Sequence, residues 1–196
     1  MLEYDGATAI IVTDVQNDFA DPQGSLYVQG AEAVVAAANR EIERAREAGA
    51  LVVYSQDWHP ESTPHFEKDG GVWPVHCVAG SWGAAFHPDL WVLEDAEFVK
   101  KGTGGEDGYS VFTVRDPRTG NEASTALERI LKEHAIHRLA IVGLATDYCV
   151  KETVLDARRL GFEAAVPKDA VAAVDLQPGD GERALSTIRD AGADVV

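Results

Sequence analysis

The stretch LATDYCV at residues 144–150 sets Cys149 between an apolar run, RLAIVG, and a helical pattern, KETVLDARRLG. With Thr146 or Asp147 as N-cap, Cys149 falls in the first turn of that helix. Unpaired N–H groups and the helix dipole favour a thiolate there, and the same N–H groups can hold a developing oxyanion. The position therefore offers a nucleophile, although free cysteine also serves as a small buried hydrophobe. Asp14 closes a second apolar run, in IVTDVQND. A carboxylate at such a strand end is partly desolvated, which raises its pKa and suits proton shuttling; a loop-capping aspartate would do no chemistry. Lys100 and Lys101 form a doublet on an extended segment, so one points inward, where it can pair with Asp14 and a thiolate; a solvated edge pair is the alternative.

A second group of chemically capable side chains lies in DWHPESTPHF and WPVHC. Asp57 and His59 are two apart and share one side of an extended segment. His65 and His76 follow. Carboxylate and imidazole together suit zinc, iron or manganese, and the lack of paired-thiolate spacing argues against a structural zinc knuckle. Histidines that only pack and hydrogen-bond are the alternative. Cys77 reads as core. GTGGEDG is glycine-rich but lacks a Lys-Ser/Thr ending and opens no helix, so it is not a phosphate loop.

The elements that must position these groups alternate between strand and helix. Continuous apolar runs predict strands over 8–15, 50–55 and 137–144, with shorter ones over 97–102, 162–167 and 193–196. Helical spacing predicts helices over 31–48, 121–134, 147–160 and 181–192, with Gly49 and Gly161 as stops. The segment 110–116 reads as another short element. Between Gln56 and about Glu94 regular structure fades, yet this stretch holds all four tryptophans and four of the six histidines. A loop that long inside a compact domain is usually functional. The pattern implies an α/β fold: a mostly parallel six-stranded sheet with helices on both faces. Ligands of such sheets gather at the C-terminal strand ends, where Asp14, Asp57, the lysine doublet and Cys149 all fall.

Composition narrows the function classes. The 196 residues are 45% hydrophobic, enough for a sizeable core. A formal net charge of −16 argues against a nucleic-acid partner. No apolar run approaches the roughly 20 residues that span a bilayer, so no membrane partner is expected. The start MLEYDGATAIIVTDV has no basic n-region, which gives the expectation of a cytoplasmic protein. Two cysteines do not suggest a disulfide framework.

The chain resembles the nicotinamidases, also called pyrazinamidases, within the isochorismatase-like cysteine hydrolase superfamily. The resemblance rests on VTDVQNDF, DWHP…PHF, GGVWPVHCVAGSWGAAFHPDL, VKKGT…DGYSVF and VGLATDYCVKETVLDARRLGF, which run in family order over nearly the whole chain. LATDYC alone indicates only the superfamily; the metal loop singles out nicotinamidases, because related isochorismatases and carbamoyl-amine hydrolases typically lack it. The resemblance implies a Rossmann-like three-layer sandwich, with residues 1–196 as one domain carrying a metal and substrate loop over 56–95. It places a catalytic triad on Asp14, Lys101 and Cys149; Lys101 is preferred to Lys100 because the family lysine directly precedes a glycine, here Gly102. One divalent ion (zinc, iron or manganese) would sit on Asp57, His59 and His76, with His65 as a further loop histidine. Phe19, Trp73 and Tyr109 would line the substrate ring. A cis peptide is implied at Leu144–Ala145, so that the Ala145 and Cys149 N–H groups form the oxyanion hole beside the substrate. Tyr148 stands where some members carry histidine, which bears on pocket polarity. The implied reaction hydrolyses nicotinamide, and pyrazinamide, to the acid and ammonia through a cysteine thioester, in NAD salvage. A homo-oligomer is left open. Two other readings remain: an amidohydrolase of the superfamily acting on a ureido or carbamoyl substrate, and a non-catalytic flavodoxin-like ligand-binding domain.

Overall fold

The computed structural model describes residues 3–196. In chain order its elements are β1 (Thr8–Thr13), α1 (Asn17–Ala20), α2 (Ala31–Glu47), β2 (Leu51–Asp57), β3 (Glu97–Lys101), β4 (Thr113–Arg115), β5 (Glu122–Ser124), α3 (Leu127–Glu133), β6 (Arg138–Leu144), α4 (Lys151–Arg159), β7 (Glu163–Val166), β8 (Val171–Ala172), α5 (Asp180–Asp190) and β9 (Asp194–Val195). The main sheet has the order β3-β2-β1-β6-β7-β9, with β8 beside β6, and its pairings are parallel. All six expected strands are present. The two-residue β8 is a seventh, too short to leave a periodic signal.

Alternation along the strands divides the core into two. Ile10, Val12, Val52, Tyr54, Ala140 and Val142 pack towards α2, which answers with Val34, Ala38, Ile42 and Ala45. Ala9, Ile11, Val53, Leu139 and Ile141 face the other way, towards Leu127 and Leu131 of α3, Val154 of α4 and Ile188 of α5. Helices therefore cover both faces, which is why β1 reads as an uninterrupted apolar run. Among the described residues, no helix is long and apolar enough to cross a membrane.

One local expectation fails. A helix was predicted over 121–134, but α3 begins only at Leu127, and Glu122–Ser124 instead pairs with β4 as an antiparallel hairpin. Thr125 marks the switch. Its N–H donates to Phe112 O (2.8 Å) and its hydroxyl to Val111 O (2.6 Å), while that hydroxyl accepts the Leu127 N–H (3.1 Å). A side chain that competes for backbone groups ends one element and caps the next.

The strand ends that matter are held in register by close packing. Thr13 of β1 pairs with Gly143 of β6, whose φ is +108°. A Cβ at position 143 would lie 2.1 Å from the Thr13 carbonyl oxygen. Gly143→Ala should therefore combine a disallowed φ with a backbone clash and cost about 3 kcal/mol. Urea unfolding checks this: the midpoint should drop sharply, and a wild-type midpoint would contradict the packing.

Candidate active site

Four neighbouring strands, β3, β2, β1 and β6, each deliver one chemical group to the same sheet edge. Lys101 is the last residue of β3 and pairs in register with Asp57, the last residue of β2. Asp14 follows β1, and Cys149 follows β6 by one turn of chain. Of the lysine doublet, Lys101 points inward and is 2% exposed. Lys100 points outward, its Nζ 3.3 Å from the centre of the Trp58 ring.

Lys101 is the hub. Its Nζ lies 2.9 Å from Asp14 Oδ2, donates a short bond to Asp57 Oδ1, and sits 3.6 Å from Cys149 Sγ. Burial opposes its charge, but the two carboxylates and Cys149 outweigh burial and raise its pKa, so it stays an ammonium. The two acids diverge. Burial raises the pKa of Asp14, and neighbouring Asp57 pushes it further up against the pull of Lys101. Burial also acts on Asp57, but Lys101 and the adjacent imidazoles overcome it and hold the pKa at about 2. Asp57 is thus the permanent anion and Asp14 the acid that can exchange a proton. Asp14 has φ +49°, and its Oδ1 accepts from Ser55 Oγ at 2.6 Å.

The expectation of a stabilised thiolate at Cys149 is not met. Burial raises the thiol pKa, and the carboxylates of Asp14 and Asp57 add to it against Lys101. The resting group is a thiol whose proton has a carboxylate beside it: Sγ and one oxygen each of Asp14 and Asp57 lie within 4.8 Å of one another. The expected N-cap also differs. Residues Thr146–Val150 form a wide π turn, Ala145 flanks it without a side-chain cap, and α4 follows. Asp147 instead accepts the N–H groups of Val174 (3.0 Å) and Asp175 (2.9 Å). It docks a distant loop rather than its own helix. The Leu144–Ala145 peptide is cis, as the resemblance implies.

Beside this cluster stand the histidines. His59, His65 and His76 each bring a ring nitrogen within 4.8 Å of the others. Asp57 Oδ2 is 3.9 Å from His59 Nε2. His76 Nδ1 bonds Pro74 O at 2.7 Å, and His65 Nδ1 pairs with Asp107 Oδ1 at 2.9 Å. Both ring nitrogens of buried His59 lack a hydrogen-bond partner. Such orphaned nitrogens are costly unless something binds them, so three imidazoles and a carboxylate fit a divalent cation. Burial lowers the His59 pKa to about 4 and moves that of His76 the same way, which keeps both rings neutral as ligands must be. Gly102, φ +77°, leaves room for this: a Cβ there would lie 2.6 Å from the His59 ring. The glycine after Lys101 thus serves the neighbouring histidine.

The pocket over both groups is lined by Phe19, Trp73, Tyr109 and Ala145, all expected, by Tyr148, which the resemblance tied to pocket polarity, and by Val174, which was not expected. Trp73 Nε1 donates to Tyr109 Oη at 3.0 Å, and the Trp73 and Tyr148 rings meet edge to face at 5.0 Å. Val174 enters only through the loop that Asp147 docks, a contact with no local sequence signal. Sequence reasoning also missed Gln16. Its side chain donates to the carbonyls of Asp57 (2.8 Å) and Ala84 (2.9 Å) and accepts the Asp57 N–H (2.8 Å), fixing the end of β2. Both cysteines are free.

Comparison with known proteins follows this geometry. Residues 8–196 match the isochorismatase domain family. A nicotinamidase of Escherichia coli is 38% identical over 94% of this chain and 92% of its own. The crystal structure of a pyrazinamidase of Pyrococcus horikoshii in complex with zinc superposes with a TM-score of 0.86 at 38% identity, over 97% of this chain and 98% of that one. The structure of PnC1 from L. infantum in complex with nicotinate gives a TM-score of 0.89 at 34% identity, over 100% of this chain and 95% of that one.

The buried imidazoles make stability depend on pH. His59 titrates near 4 when folded and near 6.5 when unfolded, so between these values the unfolded chain binds more protons. Its contribution is complete above about pH 6.5 and is lost as pH falls towards 4. Urea midpoints of metal-free protein should fall between pH 7 and pH 5, and less so in His59→Gln. Equal pH dependence in the two would contradict a neutral buried His59.

Proposed function

The chain belongs to the isochorismatase family, and from that premise we propose that it is a nicotinamidase, hydrolysing nicotinamide to nicotinate and ammonia in cytoplasmic NAD salvage. One observation carries the reading: Lys101 joins Asp14, Asp57 and Cys149 at the floor of a pocket whose wall holds three clustered histidines. A ureido or carbamoyl hydrolase needs the first group but gives no account of the second.

Cys149 is the nucleophile. As Sγ forms a bond to the carboxamide carbon, Asp14 takes the thiol proton. Lys101 keeps its charge and stabilises the sulfur as it becomes anionic. The carbonyl oxygen takes up the electron pair and meets the N–H groups of Ala145 and Cys149. Asp14 then gives its proton to the leaving nitrogen. Ammonia departs and a thioester remains. Water, deprotonated by Asp14, attacks the thioester carbon. Collapse releases nicotinate, and the proton returns to Sγ.

Phe19, Trp73 and Tyr109 bound the ring. Asp57, His59, His65 and His76 would hold the divalent ion, and zinc is the first candidate, with iron and manganese as alternatives. When bound, that ion supplies a Lewis acid for the ring nitrogen and so orients the carboxamide.

Ring nitrogen position is then the specificity test. Nicotinamide and pyrazinamide both carry a nitrogen meta to the amide-bearing carbon. Benzamide has none, and picolinamide and isonicotinamide place theirs elsewhere. Ammonia release from the first two should exceed that from the other three by about a hundredfold or more, because a misplacement of about 1 Å costs that much. Cys149→Ala should release none from any of them. Comparable rates for benzamide and nicotinamide would overturn the reading.

A further inference from the structure

Two of the three clustered histidines have one ring nitrogen already fixed by an oxygen, but the fixing groups differ. His76 Nδ1 meets a neutral carbonyl, that of Pro74, two residues away. His65 Nδ1 meets a carboxylate, Asp107 Oδ1, from a segment more than forty residues further on. A carboxylate oxygen accepts, so Nδ1 carries the proton it shares with Asp107, and Nε2 is the ring nitrogen left to face a cation. His65 is 8% exposed, so the pair is largely shielded from water.

Asp107 is itself held on every side. The Gly108 N–H donates to its Oδ1 at 2.7 Å, and Arg115 donates to its Oδ2 at 3.0 Å. Its backbone exchanges two 2.6 Å hydrogen bonds with the backbone of Arg115. Arg115 ends β4, whose pairing with β5 runs Thr113–Ser124, Val114–Ala123 and Arg115–Glu122. The small hairpin outside the main sheet therefore supports one carboxylate, and that carboxylate supports one imidazole.

We infer that Asp107, braced by Arg115 and the β4–β5 hairpin, is a positioning residue that sets the tautomer and orientation of His65 and thereby makes it a ligand of the divalent ion. The inference rests on the metal site proposed above. A carboxylate behind a ligating imidazole orients the ring and raises its basicity, and its loss typically costs 10–100-fold in metal affinity. A purely structural Asp107 would brace the hairpin without acting through His65.

Zinc affinity, measured by competition with a chromophoric chelator, distinguishes these roles without using catalysis. Asp107→Ala should weaken zinc binding by about 10–100-fold, and Asp107→Asn, which keeps the shape and loses the charge, by less. In a His65→Ala background Asp107→Ala should cause no further loss, because the group it acts through is gone. Unchanged zinc affinity in both Asp107 variants would overturn the inference. So would an equal loss with and without His65, which marks a structural role. Asp107→Asn keeps the test open should Asp107→Ala fail to fold. Wild-type protein that takes up no zinc, iron or manganese would overturn the metal site itself, a failure distinct from the other two.

Discussion

Lys101 carries its positive charge where almost no water reaches it, and the site is arranged around that charge. An isolated buried ammonium would shed its proton. Here Asp14 and Asp57 flank it, and neither could be removed cheaply: leaving one member of a buried ion pair unpartnered costs about 3–5 kcal/mol. With two acids and one base the cluster carries an excess of negative charge. The excess is resolved unequally. Asp57, in contact with both Lys101 and the imidazoles, keeps its charge, while Asp14 is pushed up and becomes the group that accepts and returns a proton. Cys149 stays protonated at rest for the same reason. One lysine thus sets the protonation order of three other groups, and it links the nucleophile to the candidate metal ligands through Asp57.

The backbone meets this demand through sheet register. Lys101 and Asp57 are paired residues of adjacent parallel strands, and Thr13 and Gly143 are paired residues of the next two. A slip of one residue in any strand would turn its functional side chain to the opposite face. The helices on the two faces fix that register through the alternating residues of β1, β2 and β6. Gly143 beside Thr13 and Gly102 beside the His59 ring are among the points where the chain approaches itself so closely that only glycine fits.

Much of this was legible in the residues. The apolar runs of β1 and β6 announced strands buried on both faces, and the rule that ligands collect at C-terminal strand ends brought Asp14, Asp57, Lys101 and Cys149 together. Period-two alternation allowed one lysine inside, and the resemblance chose Lys101. What the sequence hid was contact between distant segments. Asp147 reads as a helix cap but holds the 173–175 loop. Gln16 ties down the end of β2 through a contact across 41 residues. Asp107 sits in a glycine-rich stretch with no periodic signal, and its partner His65 is reached only through the fold. Position at a helix start favours a thiolate at Cys149, whereas its burial, and two carboxylates that lie far away in sequence, oppose it.

The proposed reaction requires that Cys149, and no other group, attack the carbonyl carbon held over this cluster. Nicotinaldehyde labelled with carbon-13 at its carbonyl tests it directly, because an attacking thiol converts that carbon to a tetrahedral thiohemiacetal. NMR of the wild-type protein and of Cys77→Ala should show the tetrahedral signal, and Cys149→Ala should show none. A tetrahedral signal that survives in Cys149→Ala, or that vanishes in Cys77→Ala alone, would contradict the account.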